Sequence, residues 1–334
     1  MLTQQKPAGA VAHDVQTAAT PAFFRSGAPR ALLISAAMST KSVALAMLVL
    51  AACGPSDRSR PGGGPGGGGP DSGPGAGSGG DGCSDAAKLV YVVDENNTLS
   101  QFDPMTKTFH DLGTLSCPAS GGATPFSMGV DRNAVAWVLY SDGELFHVDT
   151  TSLACTATGW HSANGLTQFG MGFSTDTQGG STDTLFVAGG TTITGANSST
   201  LAKLDTSAFT AQTVGSVTGW PELTGNSNAE LWGWFPSDET GSTTPRVEQI
   251  DKTSGAPIKT YMLPSLQGMP SAWAFAFWGG DYWIFLAKDL DTSTTVYQID
   301  GATGQIKGNT PTGTRLIVGA GVSTCAPVVI ARQN

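Results

Sequence analysis

Residues 281–284 read Asp-Tyr-Trp-Ile, and residues 299–306 read Ile-Asp-Gly-Ala-Thr-Gly-Gln-Ile. The first stretch is a β-rich run with a bulky aromatic. The second is an apolar residue, an Asp and a Gly-bearing turn that leads into another β-rich run. The pair recurs four times upstream. The aromatic stands at Tyr91, Trp137, Phe186, Trp232 and Trp283, at spacings of 46, 49, 46 and 51 residues. The apolar-Asp step follows each time, at Phe102-Asp103, Val148-Asp149, Leu204-Asp205, Ile250-Asp251 and Ile299-Asp300. Three of the aromatic runs are preceded by a Pro-led segment: Pro125-Phe-Ser-Met-Gly129, Pro221-Glu-Leu-Thr-Gly225 and Pro270-Ser-Ala-Trp-Ala274. Four short strands in such a unit have the size of one propeller blade. The 252 residues from Cys83 to Asn334 hold five units; six would need about 290 at this repeat length. The expected fold is therefore all-β, a five-bladed β-propeller over 83–334.

The ends of the repeat array agree with a closed ring. The first unit lacks a Pro-led strand, and Ile317–Thr324 resembles Phe169–Thr175 of the third. The C-terminal strand is expected to complete blade one and remove an open sheet edge. A stack of sheets without closure is the competing architecture. The five Asp residues are expected to accept backbone N–H groups two residues on and so close turns. The five aromatics are expected to pack between blades.

Composition bounds the function. The chain has 334 residues, a formal net charge of −9, 40% hydrophobic and 13% charged residues. That excludes full disorder and a coiled coil. Residues 83–334 carry eleven basic and twenty-two acidic groups, a charge of −11. Nucleic acid is therefore not an expected partner. No uncharged apolar run reaches 18 residues, so no lasting transmembrane helix is expected.

Residues 43–52 are ten apolar residues in a row, with Lys41 before them and Cys53 after. This is a secretory signal pattern, and residues 1–52 are assigned to it, with translation expected to begin at Met38. Leu50-Ala51-Ala52-Cys53 resembles the lipobox of bacterial lipoproteins. The resemblance implies that Cys53 is diacylated, that the peptide is cut before it, and that the new N-terminus is acylated. Two or more acyl chains anchor stably. Gly54 in place of Asp implies, by the same resemblance, sorting to the outer membrane of a Gram-negative bacterium, facing the periplasm or the surface. Residues 54–82 hold 14 Gly and 5 Pro in 29 residues. With Cys53 they are expected to form a flexible tether (53–82) of roughly 30 Å root-mean-square span.

The turn Ile299–Ile306 resembles the repeat turn of quinoprotein-like propellers, as does Ile250–Pro257 more weakly. The docking Trp of those repeats is not at its usual place. The resemblance thus implies the shape without the quinone, and no cofactor is expected. Over 83–334 the chain looks like the exported bacterial β-propeller lipoproteins, a group without a common activity.

Four further cysteines, 83, 117, 155 and 325, suggest two disulfides in an exported domain. The repeat pattern selects Cys83–Cys325 at the ring closure and Cys117–Cys155 between blades one and two. No Cys-x-x-Cys is present and no His has metal-ligand spacing, so no metal is expected. His147 alternates with Phe146 and Val148 and is expected to face outward.

Asp131, Asp176 and Glu222 are the acids at or beside the expected inner strands. Loops entering those strands contain the repeated Thr158-Gly159-Trp160 and Thr218-Gly219-Trp220. Trp160, His161, Asn164, Trp220 and Glu222 are the ligand-binding candidates: indoles stack on a sugar ring while polar groups bond its hydroxyls. No catalytic residue is assigned. The expected function is a non-catalytic binding or scaffold module at the cell envelope, with a polysaccharide or protein ligand. A polysaccharide-cleaving hydrolase on a five-bladed propeller is the alternative, and a purely structural envelope protein a third.

Overall fold

A computed structural model of the chain describes residues 83–162, 165–193, 195 and 197–330. The expected signal, Cys53 and the tether lie outside these residues, as does Asn164. The described residues form β1 (Val90–Asp94), β2 (Thr98–Asp103), β3 (Thr108–Thr114), β4 (Pro125–Val130), β5 (Val135–Tyr140), β6 (Leu145–Asp149) and β7 (Cys155–Ala157). Then come β8 (Gln168–Thr175), β9 (Asp183–Gly190), β10 (Ser198–Asp205), β11 (Thr210–Thr218), β12 (Glu222–Gly225), β13 (Leu231–Phe235), β14 (Arg246–Ile250) and β15 (Pro257–Met262). The last are β16 (Pro270–Trp278), β17 (Asp281–Lys288), β18 (Thr295–Asp300), β19 (Ile306–Pro311) and β20 (Ile317–Gly321).

They pair into five antiparallel four-stranded sheets, the blades of a β-propeller. Blades two to five are each consecutive in sequence. Blade one takes β20 as its innermost strand, in the order β20-β1-β2-β3. Val92 stands opposite Ala320 in that pairing. Cys83 and Cys325 are bonded beside it, and Cys117 and Cys155 join blades one and two. Both disulfides have the expected pairing, and they mark an oxidising, exported environment.

Five apolar clusters fill the five blade interfaces. The second strand of each blade feeds two of them, because alternate residues point to opposite faces. Tyr91 packs toward blade two while Val92 packs toward blade five. Trp137, Phe186, Trp232 and Trp283 likewise each point into the next blade around the ring. The repeated aromatics are thus core. The repeated Asp residues close the turns between third and fourth strands: Asp251 accepts the N–H groups of Thr253 and Ser254 at 2.9 Å each, and Asp103, Asp149, Asp205 and Asp300 repeat the pattern.

His147 does not face outward. Its ring lies 4.0 Å from that of Trp137 and 6.2 Å from that of Phe209 of blade three. In a blade both sheet faces are covered, so strand alternation does not separate inside from outside. Burial pushes the His147 imidazole below its ordinary value.

The innermost strands approach one another closely. A Cβ on Gly172 of β8 would lie 2.7 Å from the Leu223 carbonyl of β12, so a side chain there would separate blades three and four. All five inner strands run the same way. The upper face, where the chain enters them, is distinct from the lower face, where it leaves. Cys83 lies at the lower face, with Arg132 Nη1 3.6 Å from its Sγ.

Candidate functional site

The lower end of the axis is closed by polar side chains. Arg132 Nε donates to Asp183 Oδ2 at 3.0 Å, and Thr324 Oγ1 donates to the same oxygen at 2.7 Å. Lys252 Nζ donates to the Thr175 carbonyl at 2.7 Å. Asp131 and Asp176 also sit here on turn duty. Asp131 accepts the N–H groups of Asn133 and Val135 at 2.8 and 3.0 Å, and Asp176 accepts the Thr184 hydroxyl at 2.6 Å.

The upper end carries Glu222, the first residue of β12. It is only 3% exposed. The Ser127 hydroxyl of β4, from a blade that is not its neighbour, donates to Glu222 Oε2 at 2.8 Å. The Met171 N–H of β8 donates as well. Burial pushes the Glu222 carboxyl well above its ordinary value, and the two hydrogen bonds only partly oppose that shift. A carboxyl in this state is a proton donor at pH values where surface glutamates are ionised.

Above Glu222 opens a central cavity of about 230 Å³. Glu95, Phe126, Trp273 and Val318 line it with Glu222. An adjoining cavity of about 440 Å³ is lined by Asn197, Trp220, Asp238, Glu239 and Arg246. Phe126, Ser271 and Trp273 belong to both, so the two make one cleft across the upper face. The loop of 236–245 on its rim is tied by Asp238, which accepts the Thr240 and Ser242 hydroxyls at 2.8 and 2.7 Å. Those bonds hold the Asp238 carboxyl down at about 2.

The cleft unites some of the candidates. Glu222 forms the floor of its central part. Trp220 is 7% exposed and lines its larger part. Trp160, at the equivalent repeat position, is 3% exposed and packs edge-on against Phe169 in the core between blades two and three. His161 is exposed and lines neither cavity. Phe126 and Trp273 were not among the candidates, though both stand in the Pro-led segments. Their positions at the start of inner strands are the signal that marks them. Among the described residues no three His, Cys, Asp or Glu side chains group as for a metal ion, and no helix is long and apolar enough to cross a membrane.

No protein-family model matches the chain, and no curated protein matches it. Solved structures resemble it distantly. Virginiamycin B lyase from Staphylococcus aureus is 10% identical, with 66% of this chain and 68% of that chain covered and a TM-score of 0.37. A luciferin-regenerating enzyme is 14% identical over 69% of this chain and 92% of that one, with a TM-score of 0.38. A chain of the mitotic checkpoint complex is 13% identical over 69% of this chain, with a TM-score of 0.36; the match spans 62% of that chain's length. Nothing about activity follows from these likenesses.

Proposed function

We propose that the protein is an exported lipoprotein whose propeller is a non-catalytic binding module for polysaccharide. In this reading Cys53 carries the lipid at the outer membrane, residues 54–82 are the tether, and the upper cleft is the binding surface. One observation carries it: the cleft is aromatic-walled and polar-rimmed, and it opens on the face opposite Cys83, where the tether would join. Aromatic faces with a few convergent polar groups suit sugar rings. The two disulfides support export.

A second reading is a hydrolase. Burial pushes the Glu222 carboxyl above its ordinary value, and Glu95 lines the same cavity. An acid and a second carboxylate are the groups that glycoside cleavage needs. Incubating the full chain with a panel of cell-wall and extracellular polysaccharides separates the two. Retention without released product, weakened by Trp273→Ala and Trp220→Ala, is the expected result. Released oligosaccharide that disappears in Glu222→Gln would overturn the binding reading. Lipidation is tested by mass spectrometry of the mature N-terminus; a Cys53→Ser chain should leave the membrane fraction.

A further inference from the structure

The charge of the cleft is one-sided. Among the described residues the carboxylates of Glu95, Asp238 and Glu239 line it beside the buried Glu222, against the one guanidinium of Arg246. That guanidinium is already engaged. Its Nε donates to Glu248 at 2.8 Å, its Nη2 donates to the Thr218 carbonyl at 2.7 Å, and its plane lies 4.1 Å over the Phe235 ring. Glu248 cancels its charge, so the carboxyls facing the cleft are left without a counter-ion. Glu222 is not one of them: burial favours its neutral form, and its hydrogen-bond partners are a hydroxyl and a backbone N–H.

Two further features of the wall point to the missing ligand. Phe126 and Trp273 present aromatic surface to both cavities. Aromatic faces attract cations, and more strongly where water is excluded. The indole N–H of Trp220 is buried and has no hydrogen-bond partner, although the residue lines the cleft. A buried donor without an acceptor is costly, and a ligand oxygen would relieve it. The ligand must therefore offer positive charge, oxygen acceptors and a flat apolar face together.

We infer that the cleft recognises a polysaccharide whose sugars carry free amino groups, a cationic glycan. This rests on the binding-module reading above. The ring's C–H face lies on Trp273 and Phe126, a ring oxygen or hydroxyl accepts from Trp220, and the ammonium is met by Glu95 and Glu239. A neutral glycan would leave the carboxyls uncompensated. A lysine-rich peptide would supply charge but no ring.

The test is calorimetric titration of the full chain at about pH 5.5, where exposed carboxylates are ionised and sugar amines protonated. The probes are a glucosamine hexamer, its fully N-acetylated counterpart and hexalysine. The glucosamine hexamer should bind at least about tenfold more tightly than either, a difference of about 1.4 kcal/mol. Its affinity should fall as salt rises from about 0.01 to 0.15 M, which shortens the Debye length from roughly 30 to 8 Å. Glu95→Gln with Glu239→Gln, two exposed positions whose change should leave the melting temperature unaltered, should remove most of the preference. Trp273→Ala should weaken both hexamers. Equal affinity for the two hexamers, or a preference untouched by the double substitution, would overturn the inference. So would hexalysine binding as tightly as glucosamine. Retention on neutral polysaccharides alone would sink the amine and leave the binding module standing; retention on none would sink both.

Discussion

Replacing Glu222 by Gln removes one titrating group from the axis while keeping its shape. In the folded chain burial holds the Glu222 carboxyl well above the ordinary value of 4.5. The unfolded chain has the ordinary value. Between the two values the folded state binds one more proton than the unfolded state, so stability falls as pH rises, by about 1.4 kcal/mol per pH unit. The contribution is fully present below 4.5 and is lost by the time the pH passes the folded-state value. The Glu222→Gln protein lacks this slope. It carries a roughly constant offset of about 1 kcal/mol from the altered hydrogen bonding to Ser127 and Met171. Comparing slopes rather than levels removes the offset, and other titrating groups cancel between the two proteins. Urea unfolding of both, in steps of about one pH unit from 4.5 upward, measures the difference. The variant should gain steadily on the wild type as the pH rises above 4.5, and the gain should level off once the folded-state carboxyl ionises. Parallel curves with equal denaturant slopes would refute the reasoning. They would mean that Glu222 ionises normally and that water reaches the cavity floor.

Three further outcomes are expected. The Cys83–Cys325 and Cys117–Cys155 bridges close 242 and 38 residues. In the chain-entropy treatment they contribute about 5.5 and about 4 kcal/mol, so replacing the first pair by Ser should cost about 1.5 kcal/mol more than replacing the second; equal losses in chemical denaturation would contradict this. Gly172→Ala sets a Cβ 2.7 Å from the Leu223 backbone. It should cost about 1–3 kcal/mol, read by calorimetry as a fall of about 2–4 °C per kcal/mol. An unchanged melting temperature would mean that blades three and four are further apart. Lys107 and Phe209 take φ of 58° and 53° at the turn position that is Gly255 and Gly304 in blades four and five. Lys107→Gly should stabilise by about 0.5–1 kcal/mol by relieving the left-handed backbone. Phe209→Gly should destabilise, because that ring packs on Trp137; the same sign at both positions would show that backbone strain does not decide.

Local chemistry was legible, and distant pairing was not. The Asp turns were readable because donor and acceptor lie within three residues, as at Asp300 and Thr303. The blade count was readable because each blade repeats a bulky aromatic, Tyr, Trp or Phe, in its second strand. The disulfides followed from ring closure, which brings residues 242 apart in sequence together. Glu222 stood out as an acid at an apolar inner strand. Its partner Ser127, 95 residues away, carried no such mark. Trp160 and Trp220 share the Thr-Gly-Trp motif, yet only Trp220 lines the cleft. The difference lies in what surrounds each indole, which the motif does not encode. Phe126 and Trp273 were hidden for a related reason. Their place at the start of an inner strand is readable, but Phe169 and Phe275 stand in equivalent segments and pack in the core, so the pattern does not separate the aromatics that face the cleft from those between blades.

The direction of the inner strands bears on the choice between binding and hydrolysis. All five run from the upper to the lower face, so an acid at the start of one and an acid at the end of another sit at opposite ends of the axis. Glu222 begins β12, whereas Asp131 and Asp176 follow β4 and β8. The three acids that invite a catalytic reading therefore cannot act on one bond. Among the residues lining the central cavity the second carboxyl is Glu95, from the loop between β1 and β2. It is exposed, and Glu222 is buried. Glu95→Gln is thus the substitution on which the two readings part. In a hydrolase it removes the base or nucleophile, and turnover should fall by at least about 100-fold with substrate binding retained. In a binding module there is no turnover to lose, and the same change should only weaken the preference for a protonated amine. A chain that releases product and loses that activity with Glu95→Gln would be the enzyme, whatever its affinity for glycans.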